Sequence, residues 1–246
     1  MQQAFEIIPA IDLIDGKCVR LTKGDYSKKT VYNDNPLDVA KQFEDAGINR
    51  LHLVDLDGAK AGKVQNWKVL EAITGGTKLS IDFGGGIKTA AYVQQVLDSG
   101  ANWIVIGSLA VKQPQVFADL TRQFGPHKFF LGADVKGSNL AVHGWQEESN
   151  IEITSFLKVQ IAEGVNYCFC TDIARDGMLQ GPAFDLYKRL LSMLPGIELV
   201  ASGGVSGIDD VEELAAMGMR GVIIGKALYE GRVTLEALTA LNKKLQ

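Results

Sequence analysis

PAIDLIDGK at residues 9–17 and LGADVKG at 131–137 decide the fold: each ends an apolar run in a carboxylate, and the two lie roughly 120 residues apart. The stretches downstream of each repeat as well. IDFGGGI at 81–87 is answered by ASGGVSG at 201–207, and IVIGSLA at 104–110 by VIIGKAL at 222–228. Polar groups that recur at strand ends in this way read as two matching halves, about 1–124 and 125–246, closed into one (β/α)8 barrel domain.

Around these anchors the chain offers eight short runs rich in β-branched residues: FEIIPAI, NRLHLVD, KLSIDF, NWIVIG, KFFLGAD, VNYCFCT, IELVA and RGVIIG. Stretches such as 36–47, 89–100, 209–218 and 234–245 repeat apolar positions every three or four residues, and three of them stop at glycine. That alternation predicts a parallel sheet covered by helices. An open doubly wound sheet would alternate in the same way, so closure rests on the strand number and the repeat. A length of 246 residues matches the size of one such barrel, and 46% hydrophobic with 22% charged residues is ordinary for a globular protein.

A formal net charge of −4 disfavours general affinity for nucleic acid or anionic membrane. The start of the chain meets Glu6 and Asp12 too early for a signal peptide, and no run approaches the length of a membrane span. Cys18, Cys168 and Cys170 are an odd set without redox or zinc spacing, and His52, His127 and His143 share no metal-ligand spacing, so the cytoplasm is the expected compartment.

Glycines predict where a ligand sits. Gly84, Gly85 and Gly86 follow one strand and precede a helical stretch, and Gly203 and Gly204 do the same in the other half. Without side chains, successive backbone N–H groups can meet an anion. Gly107 and Ser108 after the fourth run, and Gly225 and Lys226 after the eighth, complete two such sites across one mouth. The expected ligand is a small molecule with a phosphate at each end. Neither a Walker A sequence nor a GxGxxG fingerprint occurs, which disfavours nucleotide hydrolysis and dinucleotide binding.

Alternation puts Ile8, Ala10 and Asp12 on one side of the first run, and Phe130, Gly132 and Asp134 on one side of the fifth. Facing the barrel axis, the two carboxyls would approach from opposite walls, an arrangement suited to an isomerisation that removes one proton and supplies another. A free Asp titrates near about 3.9, so keeping one protonated at neutral pH costs about 4 kcal/mol; spacing does not say which of the two that is. Thr171 could hydrogen-bond a substrate hydroxyl. Arg175 and Asp176, in the next loop, are placed to contact substrate. Trp145 could stack on a planar heterocycle or simply anchor a hairpin, and Asp55 could orient mobile groups or cap the loop at Gly58. Two long connections, 13–35 and 135–151, fall at matching places at the mouth; the first is basic enough to move over an anionic ligand, and the second reads as a small hairpin with an aromatic tip.

IIPAIDLIDGKCVRLTKGDY, LHLVDLDGAK, FGGGI, VIGSLAV, HGWQE, CTDIARDGMLQGP, ASGGVSGIDDV and GVIIGKALYEG together resemble the phosphoribosylformimino-5-aminoimidazole carboxamide ribotide isomerases of histidine biosynthesis, over essentially the whole chain. The resemblance implies a barrel with a phosphate site in each half, working without metal or organic cofactor and as a monomer. It also implies an Amadori rearrangement of an aminoaldose to an aminoketose, with Asp12 as general base, Asp134 as general acid and Thr171 assisting at the ribose. Three departures bear on the loops. DFGGGIK brings Asp82 and Lys88 where many relatives read QVGGGIR, Met178 stands where a hydroxyl is common, and the fifth-strand excursion is short. Lys88 keeps the charge of an arginine but not its bidentate fork.

The sister cyclase of imidazole glycerol phosphate synthase shares the repeat and both aspartates, but its first strand usually reads PCLDV with a lysine soon after, and Ala10 favours the isomerase. A form that also isomerises phosphoribosylanthranilate fits the same residues. A non-catalytic sugar-phosphate binder would keep the glycines but have no use for Asp12 and Asp134.

Overall fold

The computed structural model describes residues 4–22, 24–142, 145 and 147–245. His143, Gly144 and Gln146 of the HGWQE stretch lie outside the described residues. The strands are β1 (Glu6–Ile14), β2 (Lys17–Thr22), β3 (Asp25–Asn33), β4 (Arg50–Asp55), β5 (Ser80–Gly84), β6 (Trp103–Ile106), β7 (Phe129–Lys136), β8 (Asn139–Val142), β9 (Glu147–Glu152), β10 (Tyr167–Asp172), β11 (Glu198–Ser202) and β12 (Gly221–Ile224). Eight of them, β1, β4, β5, β6, β7, β10, β11 and β12, pair in parallel in that order, and β12 returns to β1. Each falls on one of the eight apolar runs, so the sheet is a closed (β/α)8 barrel. Closure leaves the barrel no free edge among these strands.

Strand alternation separates two cores. Odd members of β1 such as Ile7, Ile11 and Leu13 pack outward, against the helices, in the larger cluster. Even members Ile8 and Ala10 turn inward, where they meet Phe130, Phe169, Val200 and Ile223 in a smaller cluster that fills the barrel. Helices Pro36–Asp45, Ala90–Asp98, Ile208–Ala216 and Leu235–Leu245 occupy the stretches read as amphipathic. Asn35 caps the first through Leu37 N–H, and Thr89 the second through Tyr92 N–H. Among the described residues no helix is long and apolar enough to cross a membrane.

The N-terminal end of the barrel is plugged by charge. Arg50 reaches Asp82 at 3.3 Å and the Tyr167 hydroxyl at 2.9 Å, Tyr167 donates to Glu6 at 2.6 Å, and Glu6 also takes Arg220 at 2.8 Å. At the other end the two long connections are antiparallel hairpins: β2 folds back on β1 with Asp12 opposite Val19, and β8 folds back on β7 with Val135 opposite Leu140. Each hairpin thus continues the strand that carries one of the two aspartates.

Candidate functional site

A cavity of about 640 Å³ opens at the C-terminal strand ends, within the range that holds a small-molecule ligand. Asp12, Asp134, Thr171, Asp176 and Trp145 line it, and so do Gly85, Gly86, Gly107, Ser108, Gly203, Gly204, Gly225 and Lys226. Its floor is the inner apolar cluster, on which Ile223, Phe169 and Ala10 face the cavity.

The hairpins supply a partner to each aspartate. Arg20 of β2 donates to Asp12 Oδ2 at 2.8 Å and lies 3.8 Å from Asp176, so one guanidinium bridges two carboxylates. Across the mouth, Trp145 donates its indole N–H to Asp134 Oδ2 at 2.9 Å. Trp145 holds a φ of 73°, in the left-handed region that aromatic residues rarely enter. Desolvation in the recessed wall pushes the Asp134 carboxyl above its ordinary value, against hydrogen bonds from Trp145 and Thr171 that favour the ionised form. Asp176 is also pushed up, first by desolvation and further by Asp12, while Arg20 and Lys226 pull it down. Two of the cavity's carboxyls are thereby biased towards keeping a proton.

The glycines after β5 and β11 are held in the same way. Gly85 has a φ of 110°, and a Cβ there would stand 2.0 Å from the Asp55 carbonyl oxygen; Gly204 has a φ of 83° and would meet the Gly181 carbonyl at 2.5 Å. In each half the glycine turn therefore lies flush on the backbone of the preceding strand's loop. Gly85→Ala is expected to cost at least about 2 kcal/mol in urea melts, from backbone strain and the clash together. Gly137→Ala, with a φ of 66° and nothing within 4 Å, is expected to cost about 1 kcal/mol. Equal costs would mean the loop contact is soft.

Arg175 is not among the residues lining the cavity. Its guanidinium donates to the Gly181 carbonyl at 3.1 Å and lies 3.8 Å from Asp172, bracing the loop after β10. Asp55 is fully buried and accepts from the backbone of Gly58, Gln65 and Asn66 and from the Asn66 side chain, which makes it the knot of the loop after β4. Lys226 turns its ammonium to the Gly177 carbonyl at 2.9 Å. Met178 is exposed, while Lys88 lines the cavity. Arg20, Tyr26, His52 and Ser202 also line it, and the sequence pattern does not single them out as site residues. Strand parity is the available signal for two of them, since His52 and Ser202 occupy the inward positions of β4 and β11.

The sequence profile of a family described as histidine biosynthesis protein matches residues 6–234. A protein of Cytophaga hutchinsonii is 54% identical over 238 residues, covering 97% of this chain and 99% of its own. One of Flavobacterium johnsoniae is 54% identical over 234 residues, covering 95% and 98%, and one of Bacteroides thetaiotaomicron is 52% identical over 234 residues, covering 95% and 98%. All three are named as isomerases of a 1-(5-phosphoribosyl)-imidazole-4-carboxamide that carries a 5-phosphoribosylamino group through a methylideneamino link at position 5.

Proposed function

The chain belongs to the histidine biosynthesis protein family, and from that membership we infer that it is an aldose–ketose isomerase acting on the substrate of its relatives' names. Its reaction is the Amadori rearrangement that turns the phosphoribosylamino group into its phosphoribulosyl isomer. One observation carries this reading: Asp12 and Asp134 stand on opposite walls of one cavity, between two glycine turns suited to phosphate.

In the proposed mechanism one phosphate lies on Gly85, Gly86, Gly107 and Ser108, and the other on Gly203, Gly204, Gly225 and Lys226. Asp134 gives its proton to the furanose ring oxygen. The C1′–O bond breaks as the amine lone pair forms C=N, leaving a protonated Schiff base. Asp12 then takes the C2′ proton; the freed pair forms C1′=C2′, and the C=N pair returns to nitrogen. The enolamine takes a proton at C1′ while its C2′ hydroxyl becomes the ketone. Thr171, beside Asp134 in the strand register, is positioned to hold the ribose, and Trp145 to cover the acid. The same reading has a monomer at work in the cytoplasm; the three free cysteines are buried, with burial pushing Cys18 up to about 12.

Turnover of the two-phosphate substrate by the purified chain, followed by absorbance beside a parallel assay with phosphoribosylanthranilate, tests the assignment. Conversion of the first substrate supports it, and failure on both would overturn it. A product analogue lacking either phosphate is expected to bind about 100-fold more weakly, the worth of one or two charge-assisted hydrogen bonds. Loss at only one end would leave a single phosphate site.

A further inference from the structure

Beneath the cavity the barrel holds a polar chain that the mechanism above does not use. Asp82 is fully buried on β5, directly opposite His52 of β4 in the strand register, and its Oδ1 meets His52 Nδ1 in a close hydrogen bond. Its other oxygen takes Arg50 Nη2 at 3.3 Å. Arg50 in turn lies 3.7 Å above the Trp103 ring and 3.7 Å from Glu6, so its position is fixed from below. The His52 ring stands edge-on to Phe130 and Phe169, which leaves it little freedom to flip.

A carboxylate only accepts hydrogen bonds, so the hydrogen of this contact belongs to Nδ1. In a neutral imidazole the other nitrogen, Nε2, then has a free lone pair. His52 lines the cavity, and it is close enough to Asp134 to favour that residue's ionised form when charged.

We propose that Asp82, braced by Arg50, is a positioning residue for the reaction: it holds His52 as the Nδ1–H tautomer, so that an acceptor nitrogen, not a donor, is presented to the cavity that Asp134 also lines and that the substrate fills. Such an acceptor takes a hydroxyl hydrogen of the sugar bound in the cavity that His52 lines. With the tautomer reversed, Nε2–H would meet that hydroxyl as a second donor and leave its hydrogen without an acceptor. The proposal rests on the isomerase reading for its effect on rate, but its tautomer does not depend on that reading.

The test is the ¹⁵N spectrum of the histidine imidazoles in the intact protein, with His52 assigned by the signal missing from His52→Gln. Wild type is expected to show His52 as the Nδ1–H tautomer, and Asp82→Asn, whose amide can donate to Nδ1, to move it towards Nε2–H. In the same variant kcat is expected to fall roughly 10- to 100-fold with KM little changed, the size of effect typical when a histidine loses the partner that orients it. A double variant His52→Gln/Asp82→Asn is expected to be no slower than His52→Gln alone, because the two losses are one. An Nε2–H tautomer in wild type overturns the proposal, and that measurement needs no variant to fold. So would an Asp82→Asn variant with unchanged tautomer and kcat, or losses that multiply in the double variant. If wild type turns over neither substrate while His52 is Nδ1–H, it is the isomerase reading that fails.

Discussion

Asp12→Asn is expected to lower kcat by about 10³-fold, with KM within a few-fold of wild type and an unchanged far-UV circular dichroism spectrum. The amide keeps an oxygen for Arg20 to donate to, so the 2.8 Å contact that fixes the hairpin survives in form. What disappears is the basic lone pair that takes the C2′ proton in the proposed mechanism, and proton transfer by a positioned carboxylate is worth about 10² to 10⁴ in rate. The mutation removes a step made only in the transition state, so it acts on kcat and not on ground-state binding. Stopped assays at saturating substrate decide the matter. A variant that keeps a tenth of wild-type kcat would mean that the base lies elsewhere in the cavity.

Asp134→Asn is expected to lower kcat by about 10²- to 10³-fold and to erase the alkaline limb of its pH profile. The sign comes from the two roles. The base works ionised, so activity is lost as pH falls through its pKa; the acid works protonated, so activity is lost as pH rises through its own. Desolvation lifts the Asp134 value, and the hydrogen bonds of Trp145 and Thr171 only partly offset that lift. The same shift makes the native carboxylate unfavourable. The contribution of the protonated carboxyl to stability is full below the unfolded value of about 3.9 and is lost as pH rises through the raised folded value. Asp134→Asn should therefore melt above wild type at neutral pH, with the advantage gone by about pH 4. Asp176 is the comparison that counts, because it too is pushed up, beside Asp12 and Arg20. If the alkaline limb survives in Asp134→Asn and vanishes in Asp176→Asn, the proton donor is Asp176 and Asp134 orients the ribose.

The barrel was legible because a strand covered on both faces writes its parity into the chain. Ile8, Ala10 and Asp12 share one face in sequence and in space. The first hairpin was not legible as strands, since β3 is largely exposed and carries Lys28 and Lys29 where a covered strand would be apolar. Among site residues, those at strand ends declared themselves by position. Arg20 did not, because its role exists only once β2 folds back on β1 with Val19 opposite Asp12, a register set by tertiary pairing. His52 looks like a stray polar residue in LHLVD until Asp82 arrives beside it from the next strand. Arg175 shows the opposite case: its place in a loop suits a substrate, while its donation to the Gly181 carbonyl six residues away depends on how that loop folds.

The indole of Trp145 does more than cover Asp134. By donating to the carboxylate it favours the ionised form, and thermodynamic reciprocity requires that the ionised form favour the indole's place in equal measure. Taking up a proton at Asp134 weakens the hold on the indole, and drawing the indole away makes the proton easier to take up. The charging of Asp134 and the seating of the Trp145 indole are thus two coordinates of one equilibrium, so whatever draws the indole away also tilts the carboxyl towards the protonation state that the proposed first bond cleavage uses.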